Sequence, residues 1–300
     1  MNILDLVGNT PLLTLQNISS PGGVSVYLKA EFCNPSGSVK DRAAKAMVLD
    51  ALDHGKLRPG KTIIDASSGN TGIAYSMIGA ALGYPVTIYL PANASSERKH
   101  IMKSFHAHLV ETDPLESSDG AFLAVLQAVE QHPERYFFPN QYNNDVNWQA
   151  HYHSTAPEIW EQTNHAITHF ITGMGTSGTF MGTSRRLKEY NPGIQVIAVQ
   201  PDSPLHGIEG TKYMPATIKP GFYDPAFPDA FVSISTEKAY SMTRRLAREE
   251  GIFVGISSGA NVFAALELAK TLPQGSVVVT ILCDSGTRYL SDPFWKEAAA

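Results

Sequence analysis

TIIDASSGNTGIA, residues 62–74, decides how this chain is read. Residues 62–66 are a short β-branched run of the kind that forms a strand, and an amphipathic stretch starts at Ile73. Between them stands Ser67-Ser68-Gly69-Asn70-Thr71-Gly72, a turn of small, hydroxyl and amide residues. A strand that enters a helix through such a turn lets a ligand approach the backbone, and the hydroxyls and N–H groups suit a carboxylate.

The same alternation extends in both directions. Strand-like runs occur at 85–90, 107–112, 167–172, 195–199 and 276–284, with amphipathic segments at 73–82, 95–106, 117–131, 178–189, 236–250 and 259–270. Strand and helix in turn predict an α/β fold of two open, twisted, mostly parallel sheets flanked by helices. One sheet is expected from residues 35–145, a small N-terminal domain. The other is expected from 146–300 joined by 1–34, a larger domain into which NTPLLTL (9–15) and VSVYLKAEF (24–32) enter first. The longest irregular stretch, 201–230, is rich in Pro and Gly, and loops of that length are usually functional or mobile.

Composition narrows the function classes. The 300 residues are 43% apolar and carry a formal charge of -5 with no basic tract, which argues against nucleic acid and anionic membranes as partners. MNILDLVGNTPLL lacks the basic and apolar regions of a secretory signal, and no apolar run is long enough to cross a bilayer. The two cysteines, Cys33 and Cys283, are expected as free, buried thiols in a reducing compartment, so the chain is read as cytoplasmic.

NPSGSVKDRAA (34–44) holds an unusual lysine. Ser38-x-x-Asp41 fits a capping box before a helical run, which puts Lys40 in the first turn, where the helix dipole favours negative charge. A lysine held there has its ammonium form disfavoured, as carbonyl chemistry at a free amine requires.

Two further turns share the strand-to-helix pattern. In ITGMGTSGTFMG (171–182), Gly175, Thr176, Ser177, Gly178 and Thr179 offer N–H groups and hydroxyls that could wrap a phosphate. In GISSGANVFAA (255–265), Ser257 and Ser258 lie just before a helix. Ligands of open α/β sheets bind beyond the carboxyl ends of the strands, where such turns gather. One phosphate cradle, one carboxylate site, one isolated hydroxyl and one lysine match the needs of pyridoxal phosphate. A rival reading takes Gly173-x-Gly175-x-x-Gly178, with Asp202 as the ribose acid, for a dinucleotide site and predicts a nicotinamide-dependent dehydrogenase. It leaves Lys40 and the other two turns unexplained.

The motifs GNTPLL (8–13), NPSGSVKDRAA (34–44), SSGNTGIA (67–74), NQYNN (140–144), HYHSTAPEIW (151–160), GMGTSGTFMG (173–182), GIFVGISSGA (251–260) and CDSGTRYLS (283–291) occur in one order along nearly the whole chain. In them the sequence resembles the fold type II, tryptophan synthase β-like, pyridoxal-phosphate enzymes, and within these the cysteine synthases (O-acetylserine sulfhydrylases), of the B type. The resemblance implies that Lys40 forms the Schiff base and moves the substrate's α-proton, and that Asn70 bonds the ring 3′-oxygen. Ser67, Ser68 and Thr71 would hold the substrate carboxylate with Gln141. Residues Gly175 to Thr179 would cup the phosphate, and Ser257 would face the pyridine nitrogen. The implied reaction is a β-replacement that makes L-cysteine from O-acetyl-L-serine and sulfide, or thiosulfate, through an α-aminoacrylate. The resemblance further implies a homodimer, a small domain that closes on substrate, and no stable complex with serine acetyltransferase.

O-phosphoserine sulfhydrylase, 2,3-diaminopropionate synthase, cystathionine β-synthase and serine dehydratase activities remain open as alternatives. Lys212, in DSPLHGIEGTKYMP (202–215), could pair with a phosphorylated substrate. Ser67 stands where many relatives have Thr, which keeps the hydroxyl. His106/His108 and His151/His153 have no third ligand at metal-site spacing, so no metal is expected.

Overall fold

The computed structural model describes residues 1–19, 21–217 and 219–296. In chain order the strands and helices are β1 Leu12–Thr14, β2 Ser25–Ala30, α1 Lys40–Asp53, β3 Thr62–Ala66, α2 Asn70–Leu82, β4 Val86–Pro91, α3 Ser96–Ser104, β5 His108–Thr112, α4 Ser117–Gln131, β6 Tyr136–Phe137, α5 Val146–His153, α6 Thr155–Gln162, β7 His169–Gly173, α7 Gly178–Tyr190, β8 Gln195–Pro201, β9 Ala230–Ile234, α8 Thr236–Glu250, α9 Ile256–Ala269 and β10 Val277–Leu282. They form two compact units, Met1–Val7 with Asn34–Asn147, and Gly8–Cys33 with Trp148 onward.

The first unit holds a parallel four-stranded sheet in the order β5-β4-β3-β6. Its core joins Ile63, Ile88 and Leu90 of the sheet to Ala43, Ala44, Met47 and Val48 of α1 and Ile73, Ala74 and Ile78 of α2. Residues 1–7 were expected with the larger domain, yet Leu4 is buried in this core and its carbonyl accepts from Lys45 Nζ at 2.8 Å. An apolar side chain goes where apolar area is available to cover it.

The second unit holds a six-stranded sheet, β1-β2-β10-β7-β8-β9, parallel except for the antiparallel β1–β2 pair. Val278–Leu282 of central β10 are all buried, which explains the uninterrupted apolar run that strands covered on both faces require. β6 and β9 lie outside the expected strands. β6 is two residues paired with Thr62 and Ile63, and β9 is an edge strand, with Phe231 exposed, made by its ladder to β8.

Each sheet has one topological switch point, where chain order reverses across neighbouring strands. In the first it lies between β3 and β6, and in the second between β7 and β10. Open α/β sheets bind ligands beyond the strand ends at such points. The SSGNTG turn leaves β3, and the GMGTSG turn leaves β7.

Both cysteines are free, but Cys33 is exposed and Cys283 half-buried, not sealed in the core as expected. Each lies past the end of a strand, Cys33 in the 3-10 turn after β2 and Cys283 one residue beyond β10.

Candidate active site

Lys40 is the first residue of α1, but the cap is not the expected one. Val39 is the N-cap, and Asp41 accepts from the Ser36 N–H at 2.6 Å and from the Ser36 hydroxyl, with the Ser38 hydroxyl a longer donor at 3.5 Å. Ser38 Oγ accepts from the Lys40 N–H at 3.3 Å. The buried Asp41 carboxylate thus braces the turn, in the first helical turn where the dipole favours an anion, and leaves the half-buried Lys40 beside it.

The turn after β3 is tied from below. Ser67 Oγ accepts from the N–H groups of Gly69 at 3.3 Å and Gly72 at 3.0 Å, satisfying donors at the start of α2. With its lone pairs engaged, the Ser67 hydroxyl still has its proton to donate. Gly72 is needed here because a Cβ would meet Met102 Sδ at 2.9 Å and Ser67 O at 3.2 Å. Asn70 opens α2, and Thr71 donates to Gln141 Oε1 at 3.0 Å. Asn147 Nδ2 in turn donates to the Gln141 carbonyl at 2.7 Å. Thr71 and Gln141, 70 residues apart in sequence, form one buried polar pair, and with Thr71 donating, the Gln141 amino group is the donor left for a carboxylate.

Arg98 of α3 was not foreseen. It is 6% exposed, and its Nη1 donates to the Ser68 carbonyl at 3.4 Å, which puts a buried cation behind the turn.

In the second unit the turn after β7 enters α7 through Ser177, whose φ of 65° is in the left-handed region. A Cβ at Gly175 would lie 2.3 Å from the Gly210 carbonyl oxygen, so the chain passes where only glycine fits. The Lys212 N–H donates to Met174 O at 2.8 Å, binding the 207–212 segment to this turn. Thr179 Oγ1 lies 3.3 Å from His151 Nε2, and His151 Nδ1 lies 2.9 Å from Thr155 Oγ1. His151 is therefore a buried brace of α7. His106, at φ 61°, sits in the turn before β5 and does not share a strand face with His108. Among the described residues no group of three or more His, Cys, Asp or Glu could hold a metal ion.

The residues of this turn suit a phosphate. Thr176, Ser177 and Gly178 are buried at the start of a 13-residue helix, and Ser177 Oγ has no hydrogen-bond partner in the protein, although a buried hydroxyl normally finds one.

α9 starts at Ile256, so Ser257 and Ser258 belong to its first turn and do not precede it. Ser258 Oγ accepts from the Cys283 N–H at 2.8 Å, fixing the helix start to the end of β10. Ser257 is 7% exposed.

Two mostly parallel sheets, each with a hydroxyl-rich turn at its own switch point, define an α/β protein of the class that binds ligands beyond the strand ends. Residues 3–284 match the family described as pyridoxal-phosphate dependent enzymes, and the chain belongs to that family. It is 52% identical to the cysteine synthase of Aquifex aeolicus over 98% of this chain and 92% of that protein. It is 45% identical to cysteine synthase B of Pseudomonas aeruginosa, over 96% and 95%. Among solved structures, the cysteine synthase (OASS) of Entamoeba histolytica superposes with a TM-score of 0.94 at 37% identity, covering 100% of this chain and 91% of that one. The fold type II expectation holds, and the dinucleotide reading of Gly173, Gly175 and Gly178 falls with it.

Proposed function

We propose that the protein makes L-cysteine by β-replacement on O-acetyl-L-serine, with sulfide as the nucleophile. The observation that carries this reading is the pair of turns, one with a buried, unpartnered Ser177 hydroxyl for a phosphate, the other with Thr71 bonded to Gln141 for a carboxylate. The cysteine synthases among its relatives support it.

When bound, pyridoxal phosphate supplies an electron-withdrawing ring that makes the α-proton of an attached amino acid acidic. Gly175, Thr176, Ser177, Gly178 and Thr179 hold its phosphate with N–H groups and hydroxyls at the start of α7. Asn70 orients the ring through its 3′-oxygen, and Ser257 presents a neutral hydroxyl to the ring nitrogen. Lys40 is the amine that anchors the cofactor, and its Nζ takes the α-proton and later returns it. Ser67, Ser68 and Thr71, with Gln141, fix the substrate carboxylate, which sets the α-proton toward that amine. The domain of residues 35–145 closes on substrate and keeps water out.

The protein acts as a cytoplasmic homodimer without a stable serine acetyltransferase partner. Among the described residues no helix is long and apolar enough to cross a membrane. The alternative acceptor is O-phosphoserine, whose phosphate would pair with the Lys212 side chain.

The visible spectrum of the purified protein tests the reading. A yellow protein whose band moves on adding O-acetylserine and returns on adding sulfide is the expected result, and Lys40→Ala should abolish the change. A protein that stays colourless with added pyridoxal phosphate would overturn the cofactor assignment. Unchanged turnover in Lys40→Ala would overturn the role of Lys40. A yellow protein that responds to O-phosphoserine alone would replace the acceptor.

A further inference from the structure

Asn261 lies in the middle of α9, one helical turn after Ser257, and is fully buried. Both the oxygen and the amino group of its amide have partners. Its Oδ1 accepts from the Gly173 N–H at 2.8 Å, and its Nδ2 faces Ile281 O at 2.9 Å, Thr172 Oγ1 at 3.2 Å and Cys283 Sγ at 3.4 Å. Thr172 and Gly173 close β7, while Ile281 and Cys283 flank the end of β10. These are the two strands between which the order of the six-stranded sheet reverses. One side chain therefore ties together three things at the switch point: the strand that enters the phosphate turn, its neighbour across the crevice, and the helix that carries Ser257.

The fit leaves little room. A Cβ at Gly173 would come within 3.2 Å of Asn261 Oδ1 and 3.2 Å of Thr211 Cγ2. The next residue, Met174, is held from the other side by the Lys212 N–H at 2.8 Å. The incoming end of the turn is thus clamped twice before the chain reaches Gly175. A buried amide with partners on both its oxygen and its amino group specifies one arrangement of them, because a shift strands a polar group away from water.

We infer that Asn261 is a positioning residue that holds the entry to the phosphate turn in one fixed geometry against β10, so that phosphate affinity depends on it. The inference rests on the reading of residues 175–179 as the phosphate site. It predicts a loss confined to the phosphate-dependent part of cofactor binding, which a merely structural role would not produce.

The test compares the affinity of the apoprotein for pyridoxal phosphate with that for pyridoxal, which lacks the phosphate, in wild type, Asn261→Ala and Thr172→Val, with melting curves as the control for folding. Wild type should prefer the phosphorylated form. Asn261→Ala should lose about tenfold of that preference, the cost of freeing the half-buried Gly173 N–H and the buried Ile281 carbonyl, while pyridoxal binding stays the same. Thr172→Val, which removes a single partner, should lose about twofold to threefold. Equal losses for both ligands, or an unchanged preference in folded Asn261→Ala, would overturn the inference. If Asn261→Ala does not fold, an unchanged preference in Thr172→Val overturns it. If wild type binds both forms equally, the phosphate reading itself fails and the inference falls with it.

Discussion

Asp65 is the last residue but one of β3, two positions before the SSGNTG turn, and it is buried to 2% exposure. Burial pushes its carboxyl up from 3.8 to about 7, against the opposing pull of the Ala66 N–H, which donates to Oδ1 at 2.7 Å, and of the Tyr75 hydroxyl. Because the folded value lies above the unfolded one, the native state binds the proton more tightly. Stability from this group is complete below about pH 4, declines as pH rises toward 7, and is level above that. At about 1.36 kcal/mol for each pH unit separating the two values, ionised Asp65 costs the fold about 4 kcal/mol at pH 8. Asp65→Asn keeps the shape and removes the charge, so it should reduce this pH dependence to that of the other groups. Tyr142 should respond too, since the Asp65 charge adds to the burial that pushes its phenol up to about 12. Urea titrations of both proteins from pH 5 to 9 provide the measurement. The stability difference between Asp65→Asn and wild type should grow in favour of the variant between pH 5 and 8. Parallel curves over that window would show that Asp65 is already ionised at pH 5, and the argument from burial would be wrong.

Three other changes have defined outcomes. Glu158→Gln removes the carboxylate whose Oε2 lies 2.7 Å from Nζ of the fully buried Lys29, and should cost about 3 kcal/mol in a denaturant titration. A loss under 1 kcal/mol would mean that the partners that stay, Thr10 O and Gln162 Oε1 at 2.6 and 2.8 Å among them, suffice for the ammonium. Gly175→Ala forces its new Cβ against the Gly210 carbonyl, and an overpacking cost of about 1–3 kcal/mol should weaken cofactor binding roughly tenfold; unaltered binding would show that the 207–212 segment yields freely. Thr71→Val removes the donor to Gln141 and should raise the KM for the amino-acid substrate about tenfold, with a smaller change in kcat. An unchanged KM in steady-state assays would remove Thr71 and its partner from the carboxylate site.

The elements legible in the sequence are those whose patterns are local. β3, β4, β7, β8 and β10 follow their β-branched runs, and α4 and α8 have the expected ends. β6 and β9 could not be read, because two residues or an edge pentapeptide become strands only through partners far along the chain, Thr62–Ile63 and β8. The cap of α1 was misread for a related reason. Ser38 has the right spacing to Asp41, but a carboxylate chooses among nearby donors, and the Ser36 N–H and hydroxyl satisfy it better. Arg98 gave no local signal, since its meaning lies in the Ser68 carbonyl thirty residues earlier. Asn261 gave a faint one, a polar residue in the apolar run ISSGANVFAALELA, four positions after Ser257.

What the sequence by itself determined is therefore the alphabet of the site: which turns are glycine and hydroxyl, which lysine opens a helix, and that strands and helices alternate around them. These follow from backbone sterics, capping and periodicity, which act over a few residues. Only the tertiary structure decided that the two hydroxyl-rich turns lie at the switch points of their sheets, that Thr71 meets Gln141, and that one buried amide joins β7, β10 and α9. Those relations depend on strand order and on the pairing of buried polar groups across 70 to 88 residues, and a buried polar group takes whichever partner the packed fold brings to it.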